Sequence, residues 1–165
     1  MKQIMINAEK CNGCMTCTLA CAEEHSSSKS IIGAMMEKTP SRIQVLPVDN
    51  NTSVPHMCRH CEEPACVDAC MAGAMQKDPE TGIVTNEGNE QSCVGCWMCV
   101  MACPYGAVRQ HPEENVALKC DGCPDREVPA CVESCHENAL EFVEIDDHAQ
   151  EKARVAAGNL LEEQA

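Results

Sequence analysis

Aromatic side chains are almost missing from this sequence of 165 residues, which contains one Phe, one Tyr and one Trp. Aromatic rings usually supply much of the area that a core buries. The chain has room for one domain or two very small ones, and a chain of this length buries only a modest fraction of its surface. We therefore expect something other than an aromatic core to hold it together.

Several function classes are excluded by other absences. No run of 18 apolar residues occurs, so we expect no direct membrane insertion. The formal net charge is −14 and there is no basic cluster, which argues against nucleic acid and anionic lipid as partners. No G-x-G-x-x-G, Walker loop or Ser-His-Asp arrangement is recognisable, so we identify no catalytic residues.

The start of the sequence, Met1–Asn7, has no long apolar stretch and no small-residue cleavage site. Such a start predicts no export signal, and hence a cytoplasmic, reducing location. A partner's export signal could still carry the chain across a membrane.

Cysteine is what the sequence has in excess, at 16 of 165 residues. Such a density is typical of a disulfide scaffold or a metal scaffold, and a reducing compartment favours metal. The cysteines fall into four groups of four, with none left over. They are Cys11, Cys14, Cys17 and Cys21; Cys58, Cys61, Cys66 and Cys70; Cys93, Cys96, Cys99 and Cys103; Cys120, Cys123, Cys131 and Cys135.

Groups one and three both follow C-x2-C-x2-C-x3-C, and in group three Pro104 follows the last cysteine. This is the bacterial ferredoxin run, in which three thiolates hold one cluster and the fourth ligates the other cluster. Three thiolates at this spacing on a tight loop can wrap three corners of a cubane. Glycines such as Gly13, Gly95 and Gly122 let the backbone curl close to it.

Groups two and four share a different sequence motif, because Pro64–Asp68 matches Pro129–Glu133. The order A-B-A-B indicates a duplicated unit. Group one lacks the C-x-x-G/N-A ending that follows the last cysteine of the other three groups. We therefore expect a longer insertion after Cys21.

Zinc is the main rival of iron–sulfur clusters. Zinc sites are usually built from separated C-x2-C pairs, whereas groups one and three place three cysteines at x2 spacing before a fourth. The spacing thus favours iron–sulfur clusters over zinc and over disulfides. A zinc-binding structural scaffold remains the alternative. An enzyme acting through its clusters would need an open iron site, for which the count leaves no room.

The four groups, in this order and spacing, resemble the four-cluster ferredoxin-type electron-transfer subunits of anaerobic oxidoreductases. That family includes subunits of dimethyl sulfoxide reductases, formate dehydrogenases and formate–hydrogen lyases. The segments Ala65–Val67, Cys93–Cys96 and Cys103–Gly106 look most like the ferredoxin associated with carbon monoxide dehydrogenase. The resemblance, over about residues 3–145, implies electron transfer without a substrate site of its own.

The resemblance also suggests partners. The first candidate is carbon monoxide dehydrogenase, and the alternatives are a hydrogenase, a formate dehydrogenase or an aldehyde oxidoreductase. A pyridine-nucleotide reductase is a candidate for the other side. The acidic charge could steer the chain toward a basic face on a redox partner, or could only keep it soluble.

Four 4Fe–4S clusters with crossed ligation are implied by the same resemblance. Groups one and four share two clusters, and groups two and three share the other two. The implied ligand sets are Cys11, Cys14, Cys17 and Cys135; Cys120, Cys123, Cys131 and Cys21; Cys58, Cys61, Cys66 and Cys103; Cys93, Cys96, Cys99 and Cys70.

The fold class that we predict is α+β and loop-rich, with two bacterial-ferredoxin-like modules. Residues 1–49 plus 104–146 would form the outer module, 50–103 the inner module and 147–165 a helical tail. Apolar patterning predicts strands at 4–6, 43–48, 52–54, 83–85, 107–110, 116–119 and 140–143.

The tail, predicted as a helix over 147–164, carries Ala149, Ala153, Ala156 and Leu160 at helical spacing, behind a cap at Asp146 or Asp147. It would pack on its own domain or fray, or else dock on a partner.

Five other residues sit beside cluster cysteines. His56, His60 and His136 could hydrogen-bond near a cluster sulfur and tune its potential, or could be solvated loop residues. Lys10 and Lys119 each precede the first cysteine of a group. Each could offset cluster charge or simply lie on the surface.

Overall fold

The first and last strands of the chain pair with each other. The computed structural model describes residues 2–49 and 52–162. Strand β1 (Lys2–Ile6) runs antiparallel to the last strand, β8 (Leu140–Glu144). Gln3 lies opposite Val143, and Ile6 lies opposite Leu140. The predicted strands at 4–6 and 140–143 are therefore confirmed, and their pairing closes the chain on itself.

Three further strand pairs are antiparallel hairpins. They are β2 (Gln44–Pro47) with β3 (Ser53–His56), β4 (Gln76–Lys77) with β5 (Val84–Thr85), and β6 (Arg109–Gln110) with β7 (Ala117–Leu118). Each predicted strand is found, to within three residues at either end, and β4 is an addition. In the β2–β3 turn Thr52 N–H donates to Asp49 Oδ1 over 2.8 Å. Asn50 and Asn51 of the predicted turn lie outside the described residues.

The helices that carry cysteines come in two kinds, in the order of the sequence repeat. They are α1 (Thr16–Glu24), α3 (Ala65–Asp68), α4 (Met98–Ala102) and α5 (Ala130–Glu133). Helices α1 and α4 follow a left-handed residue, Met15 at φ 64° and Trp97 at φ 63°. Helices α3 and α5 follow Pro64 and Pro129. Helix α1 packs against α5, and α3 packs against α4.

The predicted insertion after Cys21 contains helix α2 (Ile31–Glu37). Ser30 caps it, because its Oγ accepts a hydrogen bond from the N–H of Gly33 over 3.1 Å. Ala34 is the buried residue of the helix, which packs against α1. The insertion thus adds a helical layer over the first cysteine helix.

Two cores hold the described chain together, and cysteines make up much of both. The first contains Cys17, Cys21, Ile43, Val45, Met57, Cys120, Cys131 and Leu140, and the second contains Cys66, Met75, Val84, Cys99, Val108 and Ala117. Val108 and Ala117 come from the segment expected in the outer module, and Met57 from the segment expected in the inner one. The division into two modules stays a prediction. Each of these three residues packs in the core opposite to the one that the predicted boundaries would give it.

The last helix, α6 (Ile145–Glu162), begins two residues before the predicted start. Asp146 and Asp147 lie in its first turn, where carboxylates favour the helix dipole, rather than at the N-cap. All residues from 149 to 159 are exposed, including Ala149 and Ala153. This part of the apolar stripe does not pack on the described chain, and the Leu160 side chain and residues 163–165 lie outside the described part. Within the described ranges, no helix has the length and apolar character that a membrane span requires.

Candidate metal centres

All sixteen predicted ligands are free thiols within the described residues. Fourteen are buried or half-buried, and the two exposed ones are Cys14 and Cys96. These occupy the second position of groups one and three, which are the two copies of the ferredoxin run. The disulfide interpretation therefore has no support in the structure.

Four thiols line one small cavity: Cys11 and Cys14 from the loop before α1, Cys17 from α1 itself, and Cys135 from the chain before β8. Burial and the nearby charges of Cys135, Cys14 and Cys11 raise the pKa of the Cys17 thiol to about 11. The cysteine from group four thus stands among three from group one.

Cys21, the last cysteine of group one, lies near the first three cysteines of group four. Burial raises the pKa of Cys120 to about 12, and Cys21 is among the charges that add to this effect. Burial, then the charges of Cys120, Cys21 and Cys123, also raises the pKa of Cys131. These four thiols therefore form a second neighbourhood.

The remaining two groups interact in the same way. Burial raises the pKa of Cys66 to about 11, against the opposing charge of Lys119 and with further raising by Cys58 and Cys103. Cys61, half-buried, lies in the same loop as Cys58.

Cys70 joins Cys93, Cys96 and Cys99 in lining a second small cavity, to which Trp97 also contributes. Burial, then Cys93 and Cys70, raises the pKa of Cys99. Metal ligation requires thiolates, so cluster binding at all four places would release protons.

The last cysteine of every group accepts a backbone hydrogen bond at Sγ. The donors are Arg42 N–H to Cys21 (3.2 Å), Met75 N–H to Cys70 (3.3 Å), Ala107 N–H to Cys103 (3.4 Å) and Ala139 N–H to Cys135 (3.3 Å). Three donors lie four or five residues after their cysteine. For Cys21 the donor comes 21 residues later, because the insertion occupies the intervening chain. Such bonds stabilise the thiolate and raise cluster potentials.

A group of charged side chains beside Cys21 was not predicted. His25 Nδ1 lies 2.7 Å from the carbonyl oxygen of Cys21 and 3.8 Å from its Sγ. His25 Nε2 lies 3.2 Å from Asp121 Oδ1. Arg42 Nη1 lies 3.0 Å from the other carboxylate oxygen of Asp121. Burial opposes a charged imidazole, but hydrogen bonds to Asp121 and Cys21 outweigh it and raise the pKa of His25 to about 10. The spacing of four residues between Cys21 on α1 and His25 at its C-cap was the signal available in the sequence.

The three predicted histidines have different roles. His136 is exposed, and His56 Nε2 lies 2.8 Å from the carbonyl oxygen of Tyr105. His60 is half-buried, and its Nδ1 accepts a hydrogen bond from Val84 N–H over 3.0 Å. Burial and the charge of Lys119 lower the pKa of His60 to about 4. The backbone N–H of His60, rather than its imidazole, donates to a cysteine, over 3.4 Å to Cys58 Sγ.

The two lysines also differ from each other. Lys10 Nζ lies on the surface, 3.4 Å from Glu141 Oε1. Lys119 is 2 % exposed and donates to the carbonyl oxygens of Val84 and Cys120. The expectation of a surface lysine is therefore right for Lys10 and wrong for Lys119.

The donor sets fit iron–sulfur clusters. Four neighbourhoods of thiols, with backbone N–H groups directed at sulfur, are what such a cofactor requires. The left-handed Gly13, Gly95 and Gly122 in the first loops of groups one, three and four allow the close approach of backbone that was expected of them. These features define the class of the protein as an iron–sulfur electron-transfer protein of the ferredoxin type.

The chain belongs to the family described as the 4Fe–4S dicluster domain, which it matches over residues 50–145, and residues 8–24 match a 4Fe–4S binding domain. It is 38% identical to an "Iron-sulfur protein" of Rhodospirillum rubrum over 162 residues, covering 87% of this chain and 82% of the relative. It is 35% identical to one of the chains of the anaerobic dimethyl sulfoxide reductase of Escherichia coli, covering 92% and 78%.

Among solved structures, the active-site complex BamBC of benzoyl coenzyme A reductase with benzoyl-CoA contains a polypeptide at 23% identity and a TM-score of 0.45. The match covers 98% of this chain and 97% of that polypeptide.

Proposed function

We propose that this chain conducts single electrons between a catalytic redox subunit and a second redox partner, through four 4Fe–4S clusters on its sixteen cysteines. The clusters would supply reversible one-electron centres. The chain's own residues would hold them, shield them from water and set the surrounding charge. The observation that carries the proposal is that thiols lying together in the structure come from two cysteine groups each, with Cys61 assigned by its place in the loop of Cys58.

The proposed ligand sets are the four crossed sets predicted from the resemblance. We number them in the order Cys11, Cys14, Cys17, Cys135 (set one); Cys120, Cys123, Cys131, Cys21 (set two); Cys58, Cys61, Cys66, Cys103 (set three); Cys93, Cys96, Cys99, Cys70 (set four). The cavities at sets one and four, each lined by all four thiols of its set, support this assignment. The packing of α1 on α5 and of α3 on α4 supports the crossing.

The order of the sets along the molecule is also proposed. Helices α1 and α5 join sets one and two, and helices α3 and α4 join sets three and four. Lys119 donates to Cys120 O and to Val84 O, which belongs to the core that contains Cys66, and this supports placing sets two and three side by side. Sets one and four are then the ends, and each contains an exposed cysteine, Cys14 or Cys96. Electrons would enter and leave at these two ends.

Two ferredoxin-like modules would underlie this order, one holding sets one and two and the other holding sets three and four. The two cores support this division, with the β6–β7 hairpin assigned to the module of sets three and four. A cytoplasmic location is proposed with the same function.

The catalytic partner is proposed to be carbon monoxide dehydrogenase, from the sequence text around Cys66, Cys93 and Cys103. The similarity to a chain of dimethyl sulfoxide reductase favours the wider class of anaerobic oxidoreductases. A hydrogenase, formate dehydrogenase or aldehyde oxidoreductase would use the same chain in the same way. Mass spectrometry of the complex purified anaerobically from its own source would identify the partner, and a chain recovered alone would count against a dedicated subunit.

Iron and acid-labile sulfide analysis tests the cofactor content. We expect about 16 of each per chain, with a brown colour that bleaches on reduction. A colourless protein with about four zinc ions would instead establish the structural scaffold. Substrate turnover by the isolated chain would overturn the absence of a catalytic site.

A further inference from the structure

Lys119 is a buried lysine at the junction between sets two and three. It lies between β7 and Cys120, and only 2 % of its surface is exposed. Its Nζ donates to Cys120 O over 2.8 Å, and also to Val84 O. Val84 lies on β5 in the second core, so the lysine spans from the loop of set two to the core that contains Cys66 and Cys99.

No carboxylate pairs with this ammonium group in the described part of the chain. Both of its hydrogen-bond acceptors are backbone carbonyls. Asp121, the nearest acid in sequence, instead forms ion pairs with His25 and Arg42. A buried charge is strongly unfavourable unless an opposite charge compensates it. The lysine therefore needs a source of negative charge that the protein's carboxylates do not supply.

Thiolates are the anionic groups that do lie near Lys119. Its Nζ donates to the carbonyl oxygen of Cys120, a ligand of set two. Its other acceptor is Val84 O, and Val84 packs in the second core with Cys66, a ligand of set three. Both cysteines are thiolates when they bind iron. One cation thus adjoins one ligand of each of two neighbouring sets.

We infer that Lys119 is the internal counter-ion of the clusters held by sets two and three, and that it raises the reduction potential of both. The inference rests on the proposed function. A positive charge in a dry environment favours the more negative, reduced form of a nearby centre, and cluster charge helps to set potential. Because one ammonium group acts on both sets, it would raise both potentials together.

Lys10 supplies a matched control for this inference. It also immediately precedes the first cysteine of a group, but it lies on the surface in an ion pair with Glu141. Lys119→Met and Lys10→Met remove the same charge at the same sequence distance from a ligand. The measurement is a redox titration of the anaerobically purified, fully loaded chain, followed by electron paramagnetic resonance.

In Lys119→Met we expect the reduction potentials of two clusters to fall. The equilibrium constant for reduction of each should fall at least tenfold, which corresponds to about 59 mV for one electron. The equilibrium constants of the other two clusters should change by less than about threefold. In Lys10→Met the equilibrium constants of all four clusters should change by less than about threefold. Unchanged potentials in Lys119→Met, or equal shifts in the two variants, would overturn the inference.

A neutral residue at a buried position could also reduce cluster loading. Lys119→Gln keeps an amide donor for the two carbonyls, and Lys119→Arg keeps the charge. If Lys119→Met and Lys119→Gln both lose clusters, Lys119→Arg should retain the wild-type iron content. Loss of iron from Lys119→Arg as well would contradict the counter-ion role. Wild-type protein without reducible clusters would refute the proposed function itself, whereas loaded wild type with an inert Lys119→Met refutes only this inference.

Discussion

At the level of single residues, the surroundings of Cys21 set the second ligand site apart from the others. Its sulfur accepts the N–H of Arg42 over 3.2 Å, and His25 Nδ1 lies 3.8 Å away. Asp121 forms ion pairs with both His25 and Arg42, so it compensates part of their positive charge. We expect these residues to tune one cluster, with a smaller effect than that of Lys119, which no described carboxylate compensates.

Replacing His25 by Gln is expected to lower the reduction potential of one cluster. The equilibrium constant for its reduction should fall threefold to tenfold, which corresponds to at most about 59 mV. The physical reason is the loss of a donor and positive charge beside a ligand sulfur. His136→Gln is the control, since His136 directly follows Cys135 but is exposed. The same redox titration compares them, and an equal response of both variants would show that position beside a cysteine, rather than the contact, determines the effect.

The spacing of the sixteen cysteines showed which loops carry them. The four ligand sets, which combine cysteines from different loops, came from the resemblance to a known family. Burial was not accessible in the same way. Lys10 and Lys119 have equivalent positions in the sequence, yet one is exposed and the other buried, because only Lys119 is covered by the second core. Likewise, His25 escaped notice because its partner Asp121 is 96 residues away.

At the level of elements, the cysteine loops require close backbone approach. Gly95, between Cys93 and Cys96, has φ +66°, and a Cβ there would lie 2.5 Å from the backbone oxygen of Asn115. Gly88 has φ +75° with nothing within 4 Å of such a Cβ. The two glycines share a left-handed conformation and differ in the space around them.

Gly95→Ala is expected to reduce iron content by up to about four atoms per chain, through loss of the cluster at set four. Gly88→Ala should keep its iron and lose only roughly 1–2 kcal/mol of stability, the cost of a left-handed alanine. Iron analysis and thermal unfolding of both variants provide the measurement. Full loading of Gly95→Ala would show that the loop can move away from Asn115.

Strands with apolar alternation were predictable, since β1, β8 and the β2–β3 hairpin each present apolar residues to the first core. The two-residue strand β4 was missed because it is too short to show a period. Helix α6 was predicted correctly as a helix. Its apolar stripe is exposed over residues 149–159, so apolar periodicity predicted the helix but not its packing.

At the level of the whole molecule, cysteines replace the missing aromatic core. They make up half of the first core, and both cores contain thiols of two different groups. Cofactor binding and folding are therefore coupled, as in other small metal-binding domains. The two kinds of cysteine helix follow the A-B-A-B repeat, whereas their pairing across the chain depends on the contacts of α1 with α5 and of α3 with α4.

The central claim is crossed ligation, and two double variants test it most directly. Cys11→Ala/Cys135→Ala removes two ligands of set one, whereas Cys131→Ala/Cys135→Ala removes one ligand each from sets two and one. Mössbauer spectroscopy with iron analysis counts the intact 4Fe–4S clusters. Of the four proposed clusters, crossed ligation predicts that three survive in the first variant and two in the second. The reverse, two in the first and three in the second, would mean that each group of four cysteines binds its own cluster, and would contradict the account.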